Sequence, residues 1–260
     1  MTNHEINDNH RFKSRCVLNF NSIDPETPVF RVFPIERLIE LFKLKKNTLV
    51  KPILWDDPFE NVIFQQSAEM KNGQKVSFSS IREKYYGQCW TLNINESDAL
   101  WRIYSPAKTG VRIKTTFGKL WDSYYNPSDK WALISYFIGK IIYANVKEIQ
   151  DFFEDPKNLE MIFDTSAAGA VQTLLIKRIE FEHENEIRLI FAGNTDNTKK
   201  IFQYAVEPNH LIDEILFDPR FDDENDFQSR KKEIESFGFT GKIEKSNLYQ
   251  LPNFRLFLNR

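Results

Sequence analysis

Glycine, cysteine and histidine are scarce in this chain. Its 260 residues include 9 glycines, so a glycine-rich loop that wraps a nucleotide phosphate is not expected. The two cysteines, Cys16 and Cys89, lie far apart without a Cys-x-x-Cys pair, and the four histidines show no metal-ligand spacing. We therefore expect neither a disulfide framework nor a zinc site, and we predict no metal site.

Charge of one sign and long apolar runs are also lacking. The formal net charge is -2 and the pI is about 6.2, so no overall basic field attracts nucleic acid. Residues 1–15 are polar, which is not typical of a secretory signal. The longest apolar stretch, residues 131–146, is interrupted by Gly139 and Lys140 and is too short to span a bilayer. We therefore expect a cytoplasmic protein with no membrane partner.

The composition is that of a globular domain. Hydrophobic residues make up 41% and charged residues 28%, enough for one sizeable core. Short strand patterns alternate with helical patterns in no strict βαβ rhythm, and no internal repeat is visible. We predict an α+β fold, a single domain with a mixed or largely antiparallel sheet and packed helices. Residues 1–26 are predicted to be a polar leader, and residues 27–260 the domain.

Apolar periodicity and turn residues locate the main elements. A period of two predicts strands and a period of 3.6 predicts helices. We predict strands at 29–33, 48–55, 88–92, 110–115, 141–143, 185–191 and 201–206, and helices at 35–44, 81–86, 97–103, 165–179 and 225–237. Residues 131–139 fit either a helix or a buried strand.

The most informative segment runs from Glu182 to Phe191. In a strand, Glu182, Glu184, Glu186 and Arg188 would point to one face while the intervening apolar residues are buried. One interpretation is a solvated edge with weak ion pairs. The other is an active-site wall, in which a carboxylate acts on a substrate and Arg188 pairs with a phosphate or a neighbouring acid. We favour the wall, because three acids on a buried strand need a reason.

An acidic turn occupies residues 55–60, Trp-Asp-Asp-Pro-Phe-Glu. Asp and Pro favour turns, so one interpretation is a simple turn anchored in the core by Trp55 and Phe59. The other is a ligand loop in which Asp57 or Glu60 accepts hydrogen bonds from a sugar or holds an arginine. Under either interpretation, a buried acid there should be paired with Arg or Lys.

Two aromatic residues, Trp101 and Tyr104, are three apart and share one face of a predicted helix. They fit core packing, and they also fit a wall on which a flat ring stacks. Cys89 is not predicted to be a nucleophile, because no paired histidine is evident and a lone cysteine in an apolar strand is usually inert.

Taken in order, these motifs resemble a broad bacterial family of unknown function. The resemblance extends from about residue 29 to 250, with Trp55, Asp56 and Thr91 where the family usually has Phe, Asn and Ser. Such families often occur beside phage-defence genes, which implies a defence or toxin-like role with a macromolecular target or a defence partner protein. The resemblance is carried by Arg31, residues 55–60, Cys-Trp-Thr 89–91, Leu-Trp-Arg-Ile-Tyr 100–104, Gly-Val-Arg-Ile 110–113 and Glu-Asn-Glu-Ile-Arg-Leu 184–189.

The order of Arg31, Thr91 and Glu186 is also similar to that in ADP-ribosyltransferases. In those enzymes the arginine grips NAD, the hydroxyl supports the nicotinamide ribose, and the glutamate binds a ribose hydroxyl and polarises the bond to be cut. The resemblance implies an enzyme that acts on a nucleotide or NAD-like small molecule, with NAD as a substrate and no other cofactor.

Together these arguments define a predicted site with three catalytic and seven substrate-binding residues. We expect Glu186→Gln to abolish activity with little change in stability. The catalytic residues are Glu186, Glu184 and Thr91, and the substrate-binding residues are Arg31, Asp57, Glu60, Trp101, Tyr104, Lys177 and Arg188.

Two other functions fit the same residues. One is a metal-dependent nuclease, in which Asp57, Glu60, Glu184 and Glu186 hold Mg²⁺ and Lys177 assists. The other is a sensor that binds a ligand without turnover.

Overall fold

A mixed, mostly antiparallel sheet forms the centre of the molecule. The computed structural model describes residues 15–55, 57–61, 67–69, 75–77, 83–162, 166–193, 198–253 and 255. The strands are β1 (Val17–Leu18), β2 (Pro28–Pro34), β3 (Lys46–Val50), β4 (Ser67–Glu69), β5 (Lys75–Ser77), β6 (Tyr85–Thr91), β7 (Gly110–Thr116), β8 (Tyr136–Lys140), β9 (Ile142–Ala144), β10 (Ile176–Arg178), β11 (Glu186–Ala192), β12 (Ile201–Ala205), β13 (Glu214–Phe217) and β14 (Lys242–Lys245).

Helices cover both faces of this sheet, which confirms the predicted α+β class. The α-helices are α1 (Ile35–Leu44), α2 (Asp98–Tyr104), α3 (Phe117–Tyr124), α4 (Ala132–Ser135), α5 (Val146–Glu154), α6 (Pro156–Ile162), α7 (Ala168–Thr173), α8 (Pro208–Leu211) and α9 (Glu224–Ser236). Short 3-10 helices occupy Pro52–Leu54, Pro58–Asn61 and Ile179–Glu184. In the described part of the chain, no helix is long and apolar enough to cross a membrane.

The main sheet has the order β1-β8-β11-β6-β2-β7-β13-β14, with β3 and β12 branching from β6. Its central pairs are antiparallel, and parallel pairs occur at its two ends, β1 with β8 and β13 with β14. Apolar side chains of β11 alternate between two cores. Ile187 and Leu189 lie in the core under α1, α3 and α9, whereas Ile190 lies in the core under α6 and α7.

The sheet splits along one edge of β6. Near one end of β6, Gly87 pairs with Val50 of β3, and at the other end Thr91 pairs with Phe30 of β2. These are the single registered pairs that β6 makes with those two strands. Because β2 and β3 diverge between them, the sheet opens beside residues 88–90.

Buried amide side chains bridge part of this opening. The Gln88 Nε2 atom donates to Asn47 Oδ1 at 2.7 Å and to the Thr48 carbonyl at 2.8 Å. The Gln88 Oε1 atom accepts from the Trp90 indole at 2.8 Å. Asn47 Nδ2 donates to the Tyr204 hydroxyl at 2.8 Å. Side-chain hydrogen bonds therefore connect β3 to β6 where the backbone ladder is interrupted.

Local signals placed α1 and α2 correctly. α1 spans the predicted residues 35–44. Lys45 caps its C-terminus and adopts a left-handed conformation with φ 50°. The Ser97 hydroxyl accepts from the Leu100 amide, so Ser97 is the predicted N-cap of α2.

The strand predicted at residues 185–191 is confirmed as β11, but the extended strand that would place Glu182 in a row with Glu184 and Glu186 is wrong. Residues 179–184 form a 3-10 helix, and the strand begins at Glu186. Asn185 lies between them in the left-handed region with φ 43°, a conformation that Asn tolerates better than most residues. Glu182 is exposed as a result, and the predicted row of three acids reduces to Glu184 and Glu186.

Three other local predictions are also wrong in part. The predicted helix 165–179 is shortened to α7, because residues 176–178 pair with β9. Residues 52–54, predicted as part of a strand, form a 3-10 helix instead, and Pro52 is its first residue. Of the helix predicted at 81–86, the described residues 85–86 belong to β6, and residues 131–139 contain both α4 and most of β8.

Part of the predicted leader joins the sheet. β1 pairs in parallel with Ile138 and Gly139 of β8, and Cys16 beside it is fully buried. Residues 1–14 lie outside the described part of the chain, so the domain boundary stays a prediction.

We expect the amide bridge to be essential for stability. Gln88→Met keeps the side-chain length but leaves the buried Asn47 amide and Trp90 indole with fewer partners. It should lower the free energy of unfolding by about 2–4 kcal/mol, since each unsatisfied buried polar group costs about 1–3 kcal/mol. Urea unfolding measures this, with the exposed Gln150→Met as the control. Equal stability of the two variants would contradict the bridging role.

Candidate functional site

A cavity of about 250 Å³ lies at the split in the sheet. It is bounded by β2 and β3 on one side and by residues 87–91 of β6 on the other. Trp55 closes one wall, packed so tightly on Gly87 that a Cβ there would lie 2.4 Å from the indole ring. The residues that line the cavity are Phe30, Arg31, Val32, Phe33, Pro34, Thr48, Val50, Trp55, Gly87, Gln88, Cys89, Trp90, Thr91, Leu100, Tyr104, Glu184 and Glu186.

Glu186 lies at the acidic end of this cavity and is held by two cations. Its Oε1 atom accepts from Arg188 Nε at 2.5 Å, and its Oε2 atom accepts from Arg188 Nη2 at 3.0 Å. Lys177 Nζ adds a third contact at 3.2 Å. The carboxylate is 3% exposed, so both ion pairs are made in a dry environment.

Glu184 occupies the same end with fewer contacts. The Tyr104 hydroxyl donates to its Oε1 atom at 3.0 Å, and Lys177 Nζ donates to its Oε2 atom at 2.5 Å. Since an ionised carboxylate can accept about four hydrogen bonds, Glu184 keeps acceptor capacity for a ligand.

Glu60 joins this group from the acidic turn. Its Oε1 atom lies 2.6 Å from Arg188 Nη2 and 3.1 Å from Lys177 Nζ. The result is a buried cluster of five charges, three carboxylates (Glu60, Glu184 and Glu186) and two cations (Lys177 and Arg188). We call it the charge cluster. When all five groups are ionised its net charge is -1.

The rest of the acidic turn anchors the loop to the same elements. Asp57 pairs with Arg178 at 3.1 Å, and the Arg178 guanidinium lies over the Phe59 ring. The Trp55 ring lies over the Arg188 guanidinium at 4.3 Å. Asp57 and Glu60 are therefore both paired with basic residues, as predicted, whereas Asp56 lies outside the described residues.

The environment moves the pKa values of the two glutamates in opposite directions. Burial alone would raise the pKa of Glu186, but Arg188 and Lys177 outweigh it and lower that pKa to about 2. Burial raises the pKa of Glu184, and Lys177 opposes this only in part. Glu186 therefore stays ionised at neutral pH, while Glu184 is the carboxyl that binds a proton more readily.

Thr91 and Cys89 lie on β6 beside these acids. The Thr91 hydroxyl donates to the Glu184 carbonyl at 2.5 Å and accepts from the Asn93 amide, so it fixes the backbone at Glu184. Burial and the Glu186 charge raise the pKa of Cys89 well above its ordinary value. A thiol that keeps its proton is a poor nucleophile, in agreement with the sequence argument.

Arg31 lies on β2 in the opposite wall. Its guanidinium is 4.9 Å from the centre of the Phe33 ring, and among the described residues no carboxylate or hydrogen-bond acceptor pairs with it. Burial lowers the pKa of Arg31, yet an arginine stays charged. Arg31 is thus a cation in the cavity lining that has no ion-pair partner in the described part of the chain.

The structure brings five of the ten predicted site residues to the cavity. These are Arg31, Thr91, Tyr104, Glu184 and Glu186. Glu60, Lys177 and Arg188 lie behind the acids in the charge cluster, and Asp57 lies beyond them on Arg178.

Trp101 does not line the cavity. It is 1% exposed, and its indole donates to Glu96 at 3.0 Å. Trp101 therefore belongs to the core, and Tyr104 belongs to the cavity wall.

The sequence argument missed Gln88, Trp90 and Thr48 as cavity residues. All three lie on strands that were predicted, and Gln88 and Trp90 flank Cys89, which was discussed. The available sequence signal was a Gln at position 88 in an apolar strand that also contains Trp90. A buried Gln amide must form hydrogen bonds, so this pattern indicates polar partners nearby.

Comparisons with known proteins give one family and one group of structures. A family described as "Protein of unknown function (DUF2971)" matches residues 100–189. This range, about a third of the chain, contains Tyr104, Glu184 and Glu186, and it is narrower than the resemblance inferred from the motifs. The comparison with curated proteins finds no match.

Solved structures of one bacterial protein are among those similar to this chain. DarT of Thermus sp. 2.9 in complex with NAD+ is 11% identical, covering 86% of this chain and 98% of that chain, with a TM-score of 0.39. The same protein with ADP-ribosylated ssDNA is 11% identical, with 87% and 97% coverage and a TM-score of 0.38. Both TM-scores and both sequence identities are low, so these similarities carry no argument about the function of this chain.

Removing one acid from the charge cluster should destabilise the fold. Glu60→Gln leaves Arg188 and Lys177 with less compensation in a buried site, and we expect a loss of about 3–5 kcal/mol in unfolding free energy. The control is Glu40→Gln, which breaks an exposed pair with Arg37 and should cost at most about 1 kcal/mol. Chemical denaturation of both variants tests this, and similar losses would contradict it.

The two buried glutamates should bind protons at different pH, Glu184 at a higher pH than Glu186. Because the pKa of Glu186 falls from 4.5 to about 2 on folding, its contribution to stability is complete above pH 4.5 and is lost as the pH falls toward 2. Glu184 has the opposite sign: its pKa is raised, so its contribution is present at low pH and is lost as the pH rises through the folded value. Carboxyl ¹³C shifts followed by NMR should show Glu184 protonating first on acidification. Protonation of Glu186 at or above pH 4.5 would contradict the assignment.

Proposed function

We propose that this protein is an ADP-ribosyltransferase-like enzyme that binds NAD in the cavity and cleaves its nicotinamide–ribose bond. One observation carries the proposal. The three residues taken from the resemblance, Arg31, Thr91 and Glu186, come from separate strands and line one cavity. Their sequence spacing alone did not require this.

The charge distribution supports a ligand with an anionic part and a sugar. The unpaired Arg31 guanidinium suits a phosphate, which it binds through parallel hydrogen bonds. The carboxylates at the opposite end suit ribose hydroxyls, which donate hydrogen bonds to them. A dinucleotide carries both groups.

Aromatic side chains supply flat surfaces for a ring. Trp55 and Tyr104 line the cavity, and Tyr104 is 37% exposed, so its ring is accessible from solvent. Aromatic faces stack favourably on flat heterocycles such as nicotinamide. Tyr104 is hydrogen-bonded to Glu184, which places a stacking surface beside the acidic end.

The acidic end suits cleavage of a glycosidic bond. When the bond between ribose C1′ and the nicotinamide nitrogen breaks, its electron pair leaves with nicotinamide and positive charge develops on the sugar. A net charge of -1 in a dry site stabilises this charge, because electrostatic interactions are stronger away from water.

Water or an acceptor hydroxyl then bonds to C1′ and loses a proton. Glu184 is the better acceptor for that proton, because its pKa is raised and it retains free acceptor capacity. Glu186 contributes the permanent negative charge. Lys177, Arg188 and Glu60 act as positioning residues that hold the two glutamates in place.

The charge cluster argues against the nuclease alternative. Lys177 forms ion pairs with three of the four carboxylates that would bind Mg²⁺, Glu60, Glu184 and Glu186, and so competes with a metal ion for them. Among the described residues, no group of three or more His, Cys, Asp or Glu is arranged to hold a metal ion. The sensor alternative differs only in turnover and is an outcome of the test below.

The expected activity is nicotinamide release from NAD in the presence of a chelator, measured by chromatography. Arg31→Gln should raise KM, because it removes the phosphate contact. Glu184→Gln and Glu186→Gln should lower kcat by roughly 10²–10³-fold, the size expected for one electrostatic catalytic group. Tyr104→Phe keeps the ring and should reduce the rate less.

Controls for folding are needed because Glu186 is a structural ion-pair partner. The structure changes our expectation of unaltered stability for Glu186→Gln, since Arg188 would lose its closest carboxylate. Glu184→Gln is the cleaner variant, and Glu160→Gln on α6 is the matched exposed control. If NAD binds but no nicotinamide is released, with or without a nucleic-acid or protein acceptor, the proposed enzymatic activity is wrong. The result would then support the alternative of a sensor.

A further inference from the structure

β14 is the terminal strand at one end of the main sheet. In the described part of the chain it pairs with β13 alone. The Ser246 amide, just after β14, donates to the Phe217 carbonyl of β13. Since the backbone groups of successive residues point alternately to the two sides of a strand, those of Ile243 and Lys245 point away from β13. These donors and acceptors are the kind that another strand can bind.

A cavity of about 680 Å³ lies along this outer edge, and we call it the edge cavity. All four residues of β14, Lys242–Lys245, line it. Because successive side chains of a strand point to opposite faces, a space bordered by all four passes around the edge of the strand. The edge cavity shares no lining residue with the cavity at the split in the sheet. The edge therefore has room for an added strand, away from the candidate functional site.

Charges of both signs line the edge cavity. A ligand that carries one sign of charge would be attracted by one set and repelled by the other. A partner that carries both signs in a matching pattern avoids this repulsion, and a second copy of β14 is such a partner. The cations are Arg112, Lys231, Lys242 and Lys245, and the acids are Glu96, Glu214 and Glu244.

The charges of β14 match those of an antiparallel copy in one register. Edge strands bond where the outward backbone groups of both meet, so Ile243 can pair with Ile243 of a second copy. Lys242 of each chain then lies opposite Glu244 of the other, at positions without backbone hydrogen bonds, where side chains are closest. A register that pairs Ile243 with Lys245 would instead place Glu244 opposite Glu244. The sequence of the strand is therefore self-complementary in the first register and not in the second.

Apolar residues support the register centred on Ile243. Ile243 is 6% exposed and belongs to the same core cluster as Phe227 of α9, and both residues line the edge cavity. In a pair of strands related by a twofold axis, the two Ile243 side chains lie beside each other on the face that α9 covers. Every contact is then made twice, which is typical of a symmetric dimer.

We propose that β14 is a self-association surface through which two copies of this chain join their sheets edge to edge. The two strands run antiparallel about a twofold axis at Ile243, and the main sheet continues from one copy into the other. The inference concerns assembly and does not rest on the proposed function.

An exchange of charges between two variants tests the register. Wild-type protein should form a concentration-dependent dimer, measured by sedimentation equilibrium. Lys242→Glu and Glu244→Lys each place like charges opposite each other, so each variant alone should self-associate about tenfold or more weakly. An equal mixture of the two should regain the wild-type affinity as a heterodimer, because both cross-strand pairs again have opposite signs. This recovery also shows that both variants are folded.

The matched controls are Lys147→Glu and Asp151→Lys, which reverse the charges of an exposed pair on α5 that does not line the edge cavity. Each control should dimerise as the wild type does. The proposal is overturned if the wild type stays monomeric at every concentration or if the β14 variants dimerise like the controls. A mixture that associates no better than its two components would also overturn it.

Backbone pairing is tested at Lys245, whose N–H points away from β13. Lys245→Pro removes this donor and keeps the ladder to β13, since proline is tolerated on an edge strand where the N–H faces outward. Lys245→Ala is the matched control, because both variants lose the ion pair with Glu224 but only proline loses the N–H. Lys245→Pro should dimerise about tenfold or more weakly than Lys245→Ala. Equal dimerisation of these two variants would overturn the pairing of the strands.

Discussion

The buried ion pair between Arg188 and Glu186 is the interaction on which the candidate site depends. Arg188 is 0% exposed, and its guanidinium also bonds to Glu60 and to the Leu174 carbonyl. A buried guanidinium requires compensation for its lost hydration, so each of these partners is held in a narrow range of positions. The ion pair thereby connects the acidic turn, the loop before β10 and the start of β11.

The split in the sheet is the second constraint, and it creates the space that the charges surround. A continuous ladder beside β6 would satisfy every backbone group and leave no cavity. Here Gln88 and Asn47 supply hydrogen bonds across part of the gap, and Trp55 covers Gly87 at one end. The cavity can therefore remain open without leaving the edge of a central strand exposed to other chains.

The ion pair and the split in the sheet together explain how charges are distributed around the site. The charge cluster lies on the side of β6 that pairs with β11, whereas Arg31 lies on β2 across the split. Among the described residues, Arg31 forms no ion pair with the acids of the charge cluster. This arrangement is the basis on which we propose a ligand that has a sugar at one end and phosphates at the other.

The sequence by itself determined the elements whose signals are local. The apolar spacing of residues 35–44 defined α1, the Ser97 cap defined the start of α2, and alternation defined β7 and most of β11, because each depends on residues a few positions apart. It also singled out Glu184, Glu186 and Arg31 as chemically notable. Only the tertiary structure decided that Asn185 breaks the predicted strand, that Trp101 leaves the site while Tyr104 enters it, and that Glu60 reaches Arg188 across 128 positions of sequence. These outcomes depend on which strands pair and where a sheet divides, and such long-range contacts leave no periodic signal in the chain.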